Sequence, residues 1–295
     1  ESGWWNIYEF KDGERKNLTP IEAEFTQPQW GLGARYYGFT TDNEIICAMN
    51  QRGYWSLAIL DSSTRKLEKV TAPFTEINRS GIKVSKDRVV INAGSSDVPH
   101  SIYQYTYNGE LTEIKRSDEL KISSSNFSKP EFVEFPTTDG LTAYGFFYPP
   151  WNPSFQGIKG ELPPLLVLSH GGPTGSATTT LDLQKQFWTS RGFGVLDVNY
   201  GGSTGYGTSY RKKLNGKWGI VDVDDCINGT KFLMARGDAD SNRLAIRGSS
   251  AGGYTTLAAL TFTNMFHAGA SYYGVSDLSA LARETHKFES RYLDS

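Results

Sequence analysis

The sequence predicts an all-β part, an incomplete β-propeller, followed by an α/β part with a mostly parallel sheet. Three observations predict this. Residues 1 to about 125 are rich in aromatics, β-branched residues and turn dipeptides and show almost no helical period. Within them a weak repeat returns at offsets of 50 and then 45 residues, the length of a four-stranded propeller blade. Beyond Pro130, short continuous apolar runs alternate with helical segments, the texture of a buried parallel sheet.

The repeat starts at Trp5-Asn6-Ile7-Tyr8, Trp55-Ser56-Leu57-Ala58 and His100-Ser101-Ile102-Tyr103. A turn follows each start: Lys11-Asp12-Gly13-Glu14, Asp61-Ser62-Ser63-Thr64 and Tyr107-Asn108-Gly109-Glu110. A β-sandwich would carry similar hairpins. Two to three blades do not close a ring, so a propeller implies further blades. The Ser-rich stretch Ser123–Pro130 reads as a linker, which separates a partial propeller at 1–125 from an α/β domain at 126–295 that lacks its C-terminal part.

In the second part, Phe132–Phe135 and Leu141–Tyr148 predict a hairpin through Thr138-Asp139-Gly140. Strands follow at Leu165–Leu168, Gly194–Val198, Leu244–Ile246 and Ala268–Tyr272. Helices are expected at about 181–191, 220–235 and 251–262.

Composition narrows the function classes. With 30 Lys plus Arg against 32 Asp plus Glu and no basic run beyond Arg211-Lys212-Lys213, neither nucleic acid nor an anionic membrane is an expected partner. No apolar stretch is long enough to span a bilayer, and the basic-then-apolar layout of a signal peptide is missing. Cys47 and Cys226 belong to no C-x-x-C pair, which argues against a zinc site or disulfide framework and fits a cytoplasmic setting. No metal and no cofactor are expected, because nothing resembles H-E-x-x-H and the glycine-rich loop at Gly201 lacks the Gly-Lys-Ser/Thr ending that cradles phosphate.

Two segments fit G-x-S-x-G, Gly248-Ser249-Ser250-Ala251-Gly252 and Gly201-Gly202-Ser203-Thr204-Gly205. The chemistry needs the serine at the tip of a tight strand-to-helix turn. Ser250 has an apolar strand before it and a helical run after it, whereas Ser203 leads into Tyr206–Tyr210, read as a loop. Ser250 is therefore the expected nucleophile and Ser203 a chance match. Eighty residues before Ser250, Ser169-His170-Gly171-Gly172-Pro173 ends an apolar strand. Such a glycine loop supplies one backbone N–H for an oxyanion, and the residue after the nucleophile supplies another. The expected donors are Gly172 and Ala251, with Pro173 unable to donate and His170 structural rather than the general base.

Together, His170-Gly171-Gly172-Pro173, Asn199–Gly207 and Gly248–Tyr254 resemble the prolyl oligopeptidase family of serine peptidases. The likeness is strongest to its acylaminoacyl-peptidase and dipeptidyl-peptidase branch. Many relatives carry Arg where this chain has Gly201. The resemblance implies a β-propeller ahead of an α/β-hydrolase domain, and cleavage of peptide bonds in short peptides through an acyl-enzyme on Ser250. It also implies a propeller that restricts access to small or unstructured substrates. An esterase would use the same elbow and loop, and a catalytically incomplete scaffold is a third reading.

Activation of the serine requires a His base and an orienting acid, which follow the nucleophile in this fold. The 45 residues after Ser250 hold one helix, one strand and a short tail, so the acid and base are expected from residues outside this chain. Asp277, after the strand next to that of the nucleophile, and His286, only nine residues further on, are the candidates within the chain, and neither is the expected choice. Side-chain preference, exo- against endo-action and assembly into a homo-oligomer stay open at the level of sequence.

Overall fold

Asp12 and Gly13 both take left-handed backbone, at φ 52° and 83°, so strands β1 (Tyr8–Lys11) and β2 (Glu14–Asn17) close as a tight hairpin. The computed structural model describes residues 2–28, 30, 33–40, 44–285 and 287. The chain divides into two compact units. One comprises Glu1–Ile122, Thr178–Leu181 and Thr204–Ser209; the other comprises Ser123–Ala177, Asp182–Ser203 and Tyr210–Ser295.

Besides the first hairpin, the first unit holds two four-stranded antiparallel meanders. Strands β3 (Tyr37–Phe39), β4 (Glu44–Gln51), β5 (Tyr54–Asp61) and β6 (Leu67–Lys69) pair in sequence order. So do β7 (Glu76–Val84), β8 (Arg88–Ser95), β9 (Val98–Thr106) and β10 (Leu111–Arg116). The second and third starts of the sequence repeat fall in β5 and β9, so the repeating unit is the last hairpin of a meander. Alternate residues of these strands point inward. Ile46, Leu57, Ile77 and Ile91 form a shared core in which Trp55 stacks on Tyr36 at 5.1 Å.

The second unit is built on one mixed sheet of six strands: β11 (Glu131–Pro136), β12 (Thr142–Tyr148), β13 (Leu165–Ser169), β14 (Gly194–Asn199), β15 (Leu244–Ser249) and β16 (Ala268–Tyr272). Their spatial order is β11-β12-β14-β13-β15-β16. β12 runs antiparallel to β11 and β14, and the other pairings are parallel. The central strands are nearly continuous apolar runs because helices cover the sheet. Val167, Leu196, Val198 and Ile246 are fully buried among them.

The helices are α1 (Leu183–Thr189), α2 (Gly207–Arg211), α3 (Val221–Arg236), α4 (Ala251–Phe262) and α5 (Leu278–Glu284). Asp182 caps α1 by accepting from the Gln184 amide at 2.8 Å, which starts that helix later than the expected 181. The short helix α2 corrects the expectation of a loop over Tyr206–Tyr210: the chain turns helical directly after Gly207, which enters the helix in left-handed backbone at φ 85°. Helix α3 places Cys226 and Leu233 in the core and ends on Gly237 in left-handed backbone, a common helix stop. Cys47 and Cys226 are buried free thiols in different units. Among the described residues, no helix is long and apolar enough to cross a membrane.

Candidate active site

The parallel pairing of β13 with β15 sets Ser169 opposite Gly248. Both strands therefore end at one level, and the chains leaving them emerge side by side at the carboxyl edge of the sheet, where open α/β sheets place their ligands. From β15 the chain turns directly into α4 through Ser250, whose backbone sits at φ 55° and ψ −118°. A non-glycine residue there is strained by about 1–3 kcal/mol and persists only where its surroundings fix it. The Ser250 amide donates to the Tyr272 carbonyl at 3.0 Å, and its own carbonyl accepts from the Tyr254 and Val275 amides at 3.1 and 3.4 Å. The half-buried serine thus stands at the tip of a pinned turn.

The glycines of this turn answer to contact. A Cβ on Gly248 would lie 2.1 Å from the Gly252 carbonyl oxygen, and one on Gly252 would lie 2.0 Å from that of Ser169. Strand, helix and neighbouring loop meet here closer than any side chain permits. The 170–173 loop runs along the serine itself: a Cβ on Gly171 would stand 3.5 Å from the Ser250 Cβ. Gly172 has φ 63°, and its carbonyl accepts from the Gly175 amide at 2.7 Å, which closes the loop as a turn. Ala251, the first residue of α4, follows the serine directly. Its N–H belongs to the helix-start donors without an intrahelical partner.

Ser203 does not sit on an elbow. It is fully buried, its amide donates to the Tyr200 carbonyl at 2.9 Å, and the next helix begins four residues on. Its hydroxyl lies 2.7 Å from Nε2 of His170, so the two motifs of the sequence meet through their side chains. The ring of His170 also stacks on Tyr200 at 4.3 Å, and burial pushes its pKa below the ordinary imidazole value.

Two buried carboxylates on α3 brace this region, and sequence reasoning passed over both. Asp222 accepts from the Gly219 amide at 2.7 Å and from the Thr255 hydroxyl at 2.5 Å, which ties α3 to α4. Asp225 accepts from the Gly201 amide and the Thr137 hydroxyl, each at 2.6 Å. Burial raises both pKa values, that of Asp225 to about 6. The only local hint was a pair of acids three residues apart on a helix whose neighbouring positions pack inward. Asp277 is occupied as the N-cap of α5, accepting from the Ser279 and Ala280 amides at 2.8 and 3.2 Å. His286 lies outside the described residues.

The model of the prolyl oligopeptidase family matches residues 179–295. Dipeptidyl peptidase family member 6 of Caenorhabditis elegans is 29% identical over 228 residues, 72% of this chain and 31% of that protein. Dipeptidyl aminopeptidase BIII of Pseudoxanthomonas mexicana is 31% identical over 196 residues, 65% of this chain and 28% of that protein. Among solved structures, a Mycobacterium tuberculosis puromycin-hydrolyzing peptidase superposes with a TM-score of 0.94 at 40% identity, over 99% of this chain and 45% of that one. Puromycin hydrolase, solved as a serine-to-alanine mutant complexed with PGG, gives 0.94 at 38% identity, again over 99% and 45%. The chain thus spans about a third of these curated relatives and under half of these solved ones.

Proposed function

From the premise that residues 179–295 carry prolyl oligopeptidase family sequence, we propose that this chain belongs to a serine peptidase cleaving peptide bonds in short peptides. The two meanders are read as blades of a β-propeller and the six-stranded sheet as an α/β-hydrolase core. The observation that carries the reading is Ser250, held at φ 55° between strand and helix beside the 170–173 loop.

The hydroxyl oxygen of Ser250 attacks the scissile carbonyl carbon and passes its proton to a general base. The carbonyl oxygen becomes an oxyanion, taken up by the N–H groups of Gly172 and Ala251. The C–N bond then breaks as the base returns the proton to the departing amine. Water attacks the resulting ester in the mirror sequence and frees the acid product and the serine. One N–H sits in a turn closed by the Gly175–Gly172 hydrogen bond and the other at the start of α4, so both are positioned before charge develops, which is the source of their effect. We assign the general base and its orienting acid to residues outside this chain, in keeping with the Ser, acid, His order of this fold. The relatives' names support amide rather than ester substrates.

Two measurements test this. A fluorophosphonate probe should label the full-length protein, and Ser250→Ala should abolish both labelling and hydrolysis. Labelling of the variant at the wild-type rate would sink the assignment. The ratio of kcat/KM for aminoacyl amides against short-chain esters should favour the amides; a preference for esters would leave the esterase reading ahead.

A further inference from the structure

His170 stands beside the loop that carries Gly172, yet its ring nitrogens face other partners. Nδ1 lies 3.1 Å from the Gly171 carbonyl oxygen, and Nε2 lies 2.7 Å from the Ser203 hydroxyl. Nδ1 also lies 3.4 Å from the Tyr200 hydroxyl, whose own proton goes to the His170 carbonyl; with a carbonyl oxygen and this hydroxyl oxygen both able to accept, the contacts favour the tautomer with the proton on Nδ1. A neutral imidazole has one N–H; Nε2 is then bare, and Ser203 donates to it. The ring is fixed on its face by Tyr200, whose hydroxyl donates to the His170 carbonyl at 3.2 Å. The turn bearing Tyr200 and Ser203 is itself anchored: the Asn199 side chain accepts from the Ala177 amide at 2.8 Å, and the Gly201 amide donates to Asp225.

We propose that Ser203 and His170 are positioning residues for the Gly172 N–H, with Ser203 selecting the imidazole tautomer that orients the Gly171–Gly172 peptide unit. The proposal rests on the reading of Ser250 as nucleophile and Gly172 as oxyanion donor. The physical step is short. The Gly171 C=O and the Gly172 N–H belong to one planar trans unit and point in opposite directions. A donor that fixes the carbonyl on one side therefore aims the N–H on the other. Without the Ser203 hydroxyl, the proton is free to shift to Nε2. The Nδ1 lone pair would then face the Gly171 carbonyl oxygen, and the resulting repulsion would turn the peptide plane away. Burial lowers the His170 pKa and so favours the single-proton form that this selection requires.

The test is a double-mutant cycle on the full-length enzyme. Loss of a whole oxyanion donor costs about 100- to 1000-fold in kcat, so a misaimed donor should cost less, about 10- to 100-fold. Ser203→Ala is expected to lower kcat on an aminoacyl amide by about that factor while KM moves less than about twofold. In His170→Asn the amide nitrogen takes the place of Nδ1–H and has no tautomer to lose. Adding Ser203→Ala to that variant should therefore cost little more, a non-additivity that a merely structural hydroxyl would not produce. Nitrogen NMR of the wild-type ring should show Nδ1 protonated. An Nε2-protonated ring, additive losses or a wild-type kcat in Ser203→Ala would each overturn the proposal, and the NMR result stands even if a variant fails to fold. Ser250→Ala separates the two readings. An active Ser250→Ala removes the nucleophile reading, whereas an inactive one beside a fully active Ser203→Ala removes only the positioning role.

Discussion

At Asp225 a single buried carboxylate does structural work that pH should reveal. Its two oxygens hold the Gly201 amide and the Thr137 hydroxyl, and burial raises its pKa from 3.8 to about 6. The unfolded chain releases this proton near the ordinary value, while the native state keeps it about two units longer. In that window the folded protein binds more protons, so the stability this group contributes is lost as pH rises through about 6. The full effect is on the order of 3 kcal/mol. Asp225→Asn can still accept from Gly201 and donate to Thr137, yet has no proton to lose. Urea midpoints taken between pH 4 and 7 should show the variant gaining on the wild type as pH rises, and parallel curves would refute the assignment. Ser250 illustrates the other residue-scale lesson, that a strained backbone persists where several hydrogen bonds overdetermine it.

At the scale of elements, the decisive event is the meeting of β15, α4 and the loop after β13. Gly252 sits at their crossing, with the Ser169 carbonyl 2.0 Å from where a Cβ would stand. Gly252→Ala must push the loop or the helix aside, and overpacking of this kind costs about 1–3 kcal/mol or more. The expected result is a lowered unfolding midpoint together with loss of probe labelling at Ser250. A variant that kept both would show the contact to be yielding. The two G-x-S-x-G segments differ for an element-scale reason: only the one at Ser250 passes straight from strand into a helix. The other is separated from α2 by Thr204–Tyr206, and its serine turns inward to His170.

Across the whole molecule, three separate clusters of buried side chains among the described residues carry the two units, two of them in the first and one in the second. In the second, Ile246 is fully buried on β15 within the cluster that includes Val167, Leu196, Cys226 and Leu233. Ile246→Ala removes three carbons from a packed interior and should cost about 2–5 kcal/mol by denaturant titration, depending on how far the site collapses. A loss well under 1 kcal/mol would mean that the sheet interior refills freely. The buried Lys185–Asp197 pair, at 2.6 Å, joins α1 to β14 on the other face of the sheet, since Asp197 alternates with Leu196 and Val198 along the strand. Neither residue is conspicuous in the sequence, since each reads as an ordinary surface charge.

What the sequence determined by itself is what short-range chemistry encodes. Apolar runs set the central strands, glycines two residues either side of Ser250 marked a turn too tight for side chains, and the Gly171-Gly172 pair marked a loop able to present N–H groups. Each signal spans only a few residues, so it is legible without knowing what lies across the fold. The tertiary structure alone decided that β13 lies beside β15, which brings that loop against the serine. It also decided that Ser203 reaches His170 across 33 residues, and that Asp225 reaches Thr137 across 88. These pairings depend on strand order and on burial of polar groups that must find partners once water is excluded. No local pattern carries that information, because the partner's identity is settled only when the chain packs.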